Sequence, residues 1–301
     1  MSKHTRKKSN KLNNIKCNLC DSQDIFRLYE LDEYNILKCR NCHLVFTEPL
    51  GINLAELYSI EYFEEFQSKF FSKCHEDYVH YKDDPRLAIF QKGLSLLMSY
   101  KQSGRILDVG CATGVFLDMA KNKGWDPYGV DISEYAVNYA RDKFGLKVET
   151  KELQDVNFPS AYFDVITIWD TIEHVPNPRQ ILQECQRILK DDGLLFIVTV
   201  DEDSLIPRIA DMLYRTTGKK LKKPVKLVHP IHHITHFSKL TITQMLHNTG
   251  FKVVYLSKSE IPLKSLRWNW GIKIVIGTMY FFARLFRIQY EVKLLANKYK
   301  S

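Results

Sequence analysis

The stretch Ile106-Leu107-Asp108-Val109-Gly110-Cys111-Ala112-Thr113-Gly114 constrains this chain more than any other. A short apolar run enters a glycine turn, and an apolar-periodic helix follows from Val115 to about residue 123, stopped by Gly124. A second strand, Tyr128-Gly129-Val130, ends at Asp131, and Ser133 caps a helix that ends near Gly145. Further strands are expected at Val148, over 163–168 and over 194–200. Between the last two, Asn177-Pro178-Arg179-Gln180 starts a helix, with Asn as cap and Pro at the first helical position. Ile181, Leu182, Cys185, Ile188 and Leu189 form its buried stripe. Ser238 caps a last helix stopped at Gly250, and Phe251 to Tyr255 give a final strand. Short strands alternating with helices predict an α/β fold with a doubly wound, mostly parallel sheet.

In such a sheet the ligand lies at the carboxyl ends of the strands, beside the first glycine turn. A phosphate there wants backbone N–H groups, a helix start and usually a lysine or arginine. This turn instead carries Asp108, has no basic side chain before Lys121, and lacks the G-x-x-x-x-G-K-[ST] pattern. The carboxylate opposes a pyrophosphate and favours a ligand with positive charge. Asp131 ends the next strand, where an acid can hold both ribose hydroxyls. A nucleoside bearing a ribose, an ammonium and a sulfonium meets all of these demands. That ligand is S-adenosylmethionine.

The segments LDVGCATG and GVDIS resemble the first two motifs of class I S-adenosylmethionine-dependent methyltransferases. FPSAYFDVITIWDTIEHVPNP, LKDDGLLFIVTV and HITHFSKLTITQMLHNTGFKVV resemble the motifs that follow, over residues 84–257 in all. The resemblance implies a Rossmann-like sheet of seven strands. It places Asp108, Gly110, Cys111 and Gly114 at the amino-acid end of the cofactor, with Ala112 at the family's usual second glycine. It also implies that Asp131 holds the ribose, Ile132 lies against the adenine and Glu152 borders the adenine amino group. Asp170 would face the methionine portion or the substrate.

Nearer the N-terminus, Cys17-Asn18-Leu19-Cys20 and Cys39-Arg40-Asn41-Cys42 are two C-x2-C pairs separated by eighteen residues. Two such knuckles supply the tetrahedral sulfur shell that zinc prefers, with His43 a weaker substitute for one cysteine. Four thiolates leave no open coordination position, so the ion is structural. Residues 25–29 and 35–38 read as hairpin strands, and a module of this size (15–48) needs metal to fold. Residues 49–83 form an aromatic segment in which Tyr58, Tyr62, Phe66 and Phe70 mark one helical face; Cys74 and His75 are read as structural. The knuckles followed by LYSIEYFEEF resemble a methyltransferase subgroup with an N-terminal zinc ribbon, associated with sugar or cell-surface polysaccharide methylation.

Methyl transfer from a sulfonium is an in-line displacement, so alignment supplies most of the rate and a base only removes the acceptor's proton. The histidine candidates are His174, His229, His232, His233 and His236. His233 is preferred and His174 next. Asp170, Glu173 and His174 also resemble the Glu/Glu/His metal set of ubiquinone-pathway O-methyltransferases, with Asp in the first place.

The formal net charge of +8 sits at three places: six basic residues and no acid in 1–16, seven basic and one acidic in 208–226, nine basic and two acidic in 258–301. The remaining chain is net acidic. The first 14 residues read as a flexible basic tail without the apolar run of a secretory signal. Seven cysteines then read as thiols or metal ligands in a cytoplasmic protein. The apolar stretch Ile274 to Ala283, between Lys273 and Arg284, is too short to span a bilayer. The basic excursion 201–237 and the tail 258–301 are expected to select the acceptor, and the tail to touch the inner face of a membrane peripherally. The expected acceptor is a small molecule or a glycan or lipid-linked intermediate, methylated at oxygen or carbon, with no obligate protein partner. Methylation of rRNA or tRNA, with the ribbon binding nucleic acid, is the alternative, and a ubiquinone-type O-methyltransferase another.

Overall fold

The computed structural model describes residues 15–49, 87–263 and 269–299. The basic tail 1–14 and nearly all of the aromatic segment, with Cys74 and His75, lie outside the described residues.

The glycine turn sits where the sequence predicts. Strand β4 (Arg105–Val109) enters it and helix α2 (Val115–Lys121) leaves it; the preceding helix, α1, spans Leu87–Tyr100. Next come β5 (Asp126–Asp131), α3 (Glu134–Phe144), β6 (Lys147–Thr150) and β7 (Phe163–Trp169). The Ser133 side chain accepts from Ala136 N to cap α3, and Gly145 closes that helix in the left-handed region. Helix α4 (Pro178–Ile188) starts with the Asn177 cap and Pro178, and buries Ile181, Leu182, Cys185 and Ile188. Strand β8 (Leu189–Val200) follows directly.

The main sheet has seven strands in the order β10-β11-β8-β7-β4-β5-β6, where β10 is Phe251–Ser259 and β11 is Glu291–Lys298. Strands β4 to β8 are parallel, while β11 runs antiparallel to both β8 and β10. Chain order departs to opposite sides of β4, towards β5 and towards β7, so the switch point of the sheet lies at the glycine turn. β7 is buried along its whole length, as a parallel strand covered on both faces should be.

Two expectations are corrected. Phe251–Tyr255 does not begin the last strand: β11 lies in the segment read as a tail and inserts between β8 and β10, so the main sheet extends past residue 257. Its buried residues Val292, Leu294, Leu295 and Ala296 are too short a run for periodicity to separate from helix. The N-terminal ribbon is also not a module apart. Strands β1 (Ile25–Glu30), β2 (Asn35–Cys39) and β3 (Val45–Thr47) continue into β9 (Thr235–His236), contributed by the basic excursion. Helices α5 (Leu205–Thr216) and α6 (Lys223–Val228) pack on that sheet, burying Tyr29, Tyr34, Ile36 and Val45 with Ala210, Tyr214, Val225 and Val228. Helix α7 (Lys239–Asn248), opened by a Ser238–Thr241 capping box, leads into β10, and α8 (Trp270–Leu285) stands between β10 and β11.

Candidate functional site

The turn after β4 is held open by backbone geometry. Gly110, Ala112 and Gly114 have φ of 77°, 45° and 78°, the left-handed region, which reverses the chain sharply after β4. Gly110 N and Cys111 N both donate to Val130 O, at 2.8 and 3.0 Å, tying the turn to the end of β5. A Cβ on Gly110 would lie 2.3 Å from Thr171 Oγ1, so the turn and the segment after β7 approach as closely as a glycine allows.

Two carboxylates flank this turn. Asp108 is buried, accepts from Thr167 Oγ1 at 2.6 Å, and burial pushes its carboxyl well above the ordinary range, with Asp131 adding to the effect. Asp131 accepts from Ala112 N through Oδ2 and from Ser133 N through Oδ1, both at 2.8 Å, and burial raises its carboxyl as well. Each of its oxygens keeps a second lone pair, enough to accept two hydroxyls of a diol. Ile132 follows it, half-buried, at the rim. Cys111 is packed into the core, where its sulfur would lie 2.7 Å from a Cβ on Gly129, and its backbone is bonded within the turn, its carbonyl accepting from Gly114 N at 2.9 Å. Glu152 is exposed before a short 3-10 turn (Leu153–Asp155), hydrogen-bonded to Gln154. Asp170 is exposed at the end of β7 with φ of 43°.

The histidines stand in the segment after β7 and around the turn before β9. The His174 Nδ1–H donates to His232 O at 3.0 Å, which leaves Nε2 as the lone-pair nitrogen. Its ring is stacked on His232 with centroids 5.4 Å apart and meets His233 edge-on at 4.6 Å. One ligand atom from each of the three lies within 4.8 Å of the others. Burial lowers His174 to about 4 and His232 to about 3, and holds His233 well below its usual value, so all three rings are neutral near pH 7. His233 Nδ1 is buried without a hydrogen-bond partner. A second group joins His229 and His236 to Glu202: His229 Nδ1–H donates to Val225 O at 3.2 Å, and its Nε2 faces the Glu202 carboxylate at 2.9 Å.

The expected Asp170–Glu173–His174 metal set is not brought together. Glu173 turns inward, buried, and accepts from Thr199 Oγ1 at 2.9 Å, while His174 groups with His232 and His233. Burial raises Glu173 to about 7. Its carbonyl accepts from Ile234 N and Thr235 N, which fastens the histidine-bearing segment beside β7. The ring cluster escaped sequence reading because His232 belongs to it only through the turn after Pro230; the spacing of His229, His232, His233 and His236 was its one visible signal.

In the ribbon, Cys17 Sγ lies 3.4 Å from Cys42 Sγ and Cys20 Sγ 3.6 Å from Cys39 Sγ, and all four sulfurs lie within 4.8 Å of one another. A tetrahedral ion with bonds of about 2.3 Å spaces its sulfurs roughly 3.8 Å apart, so this donor set fits zinc.

A family model described as a methyltransferase domain matches residues 80–256, more than half of the chain. The chain belongs to this family. Among its relatives, this methyltransferase-domain chain is 30% identical to a ubiquinone biosynthesis O-methyltransferase of Actinobacillus pleuropneumoniae over 133 residues, 41% of this chain and 55% of that protein. It is 30% identical to an uncharacterized protein of Methanocaldococcus jannaschii over 182 residues, 60% of this chain and 80% of that protein. The chain spans about half the length of the ubiquinone-biosynthesis relatives it matches first. Of solved structures, an S-adenosylmethionine-dependent methyltransferase from Archaeoglobus fulgidus superposes with a TM-score of 0.51 at 21% identity, over 74% of this chain and 100% of that one. A geranyl diphosphate C-methyltransferase from Streptomyces coelicolor gives 0.52 at 14% identity, over 70% and 80%. These likenesses show the fold, a Rossmann-like α/β methyltransferase architecture.

Proposed function

We propose that the chain is an S-adenosylmethionine-dependent methyltransferase acting on a small-molecule or glycan-type acceptor, with a structural zinc ion in its Cys17, Cys20, Cys39 and Cys42 ribbon. The observation that carries this reading is the pair Asp108 and Asp131 at the ends of β4 and β5, around a positive-φ turn with no cation of its own. The bound cofactor would supply an electrophilic methyl on a sulfonium. Asp131 then accepts both ribose hydroxyls, Ile132 covers the adenine face, Glu152 borders the base, and the backbone of Gly110, Cys111 and Gly114 meets the amino-acid end. Asp170 stands at the acceptor side of the turn. His233, with His174 behind it, takes the acceptor's proton; their neutral rings are in the form a base requires.

The O-methyltransferase name of the ubiquinone relatives favours an oxygen acceptor. The basic excursion does not favour RNA: Lys222 and Lys226 are paired with Asp32 at 2.7 and 3.1 Å, and part of the positive charge is thereby neutralised inside the molecule. The test is incubation with methyl-labelled S-adenosylmethionine and extract from source cells lacking the gene, separated into RNA, lipid, polysaccharide and small-molecule fractions. Label in small molecules, glycan or lipid supports the reading. Label confined to RNA overturns it.

A further inference from the structure

Helix α8 has the wrong surface for water. Trp270, Ile274, Val275, Phe281, Leu285 and Phe286 each leave more than half of their area exposed, while only Tyr280 and Ala283 of the helix are buried. Singly exposed apolar residues are ordinary, but a contiguous face of this size marks a contact surface. The charge around it has one sign. From residue 261 to 290 the sequence has no Asp or Glu, and Lys273, Arg284 and Arg287 lie on or directly beside the helix. An apolar helix with an amphipathic aromatic at its start and cations along it lies in the plane of an anionic bilayer surface. No helix among the described residues is long and apolar enough to cross a membrane.

The topology gives that helix a position that its sequence does not. β10 and β8 both run antiparallel to β11, so they are parallel to each other, and Ser259 at the end of β10 pairs with Glu291, which pairs with Val200 at the end of β8. The chain between Ser259 and Glu291, α8 included, therefore leaves and re-enters the sheet at the carboxyl edge, where the glycine turn and Asp131 also lie. The return is bonded to the loop after β8: Asp201 N donates to Tyr290 O at 2.7 Å and Leu205 N to Ile288 O at 2.9 Å. Tyr290 in turn lies within electrostatic reach of Asp170 and Glu173.

We propose that α8 is an in-plane membrane helix that lays the carboxyl edge of the sheet on an anionic phospholipid surface, so that the acceptor is an amphiphile presented from that surface. The acceptor class rests on the methyltransferase reading above, but the membrane contact stands without it. The reaction would then take place at the bilayer face, with the cofactor entering from water and the acceptor from lipid.

The test is flotation of the full chain with vesicles of phosphatidylcholine alone and of phosphatidylcholine with phosphatidylglycerol, for the wild type and for Phe281→Glu/Phe282→Glu, with S-adenosylhomocysteine binding measured alongside by calorimetry. The wild type should float with the anionic vesicles, at least tenfold more than with the neutral ones, and less as salt is raised. The double variant should lose at least tenfold of that partition, since burying one aromatic side chain is worth roughly a factor of ten or more, and should keep its affinity for S-adenosylhomocysteine. A wild type that does not float while binding S-adenosylhomocysteine overturns the membrane proposal alone. So does a wild-type dimer, by light scattering, that becomes monomeric in the variant without any flotation; a second copy then covers the helix. Flotation without S-adenosylhomocysteine binding supports the membrane contact and removes the methyltransferase reading beneath the acceptor class.

Discussion

Gly110→Ala applies one methyl group at the point where two halves of the site touch. The backbone there has φ of 77°, where an alanine costs about 1–2 kcal/mol. The new Cβ would lie 2.3 Å from Thr171 Oγ1, 2.5 Å from its Cγ2 and 2.9 Å from its Cβ, well inside contact distance. Relief requires Thr171 to move, which overpacks its surroundings at ~1–3 kcal/mol. The move also breaks the bond from Thr171 Oγ1 to Trp169 O, 2.8 Å long, for about 1 kcal/mol more. The sum, about 3–6 kcal/mol, corresponds to a fall in Tm of roughly 5–10 °C for a chain of this size. Urea and thermal unfolding of the purified variant read this directly. In a Thr171→Gly background the overlapping atoms are gone, so the same substitution should cost only the left-handed penalty of about 1–2 kcal/mol. An unchanged Tm in the single variant, or an equal cost in both backgrounds, refutes the geometry of the turn.

Two further outcomes are expected. The wild type should carry one zinc per chain by elemental analysis, and Cys39→Ser should lose it together with much of the stability of the β1–β3 sheet and the α5–α6 pair packed on it; a zinc-free wild type as stable as the variant contradicts this. Glu173, raised by burial from 4.5 to about 7, contributes stability that is fully present below pH 4.5 and lost as pH rises through 7, so Glu173→Gln should gain on the wild type in urea midpoints between pH 5 and pH 8, and a pH-independent difference refutes it.

Much of the sheet was legible because each element carried its own punctuation. The side chains of Ser133, Asn177 and Ser238 accept backbone N–H groups to open α3, α4 and α7, Pro178 fixes the first turn of α4, and Gly145 closes α3 in the left-handed region. The Asp108–Asp131 pair was legible for the same reason: a strand end, a turn and a strand end lie within one local unit. What stayed hidden depends on pairings distant in sequence. β11 reads as apolar tail until it is placed between β8 and β10, and β9 is two residues long, joined to the ribbon across more than half of the chain. The grouping of His174 with His232 and His233 likewise exists only once Glu173 has fastened residues 234 and 235 beside β7.

The central claim is that Asp131 and the glycine turn hold the nucleoside of S-adenosylmethionine. Calorimetric titration of S-adenosylhomocysteine into the wild type and into Asp131→Asn measures it most directly. One site per chain is predicted, weakened in the variant by about 10- to 100-fold, as loss of charge-assisted bonds worth ~1.5–3 kcal/mol requires. Equal affinity in both proteins, or no binding by a folded wild type, contradicts the account.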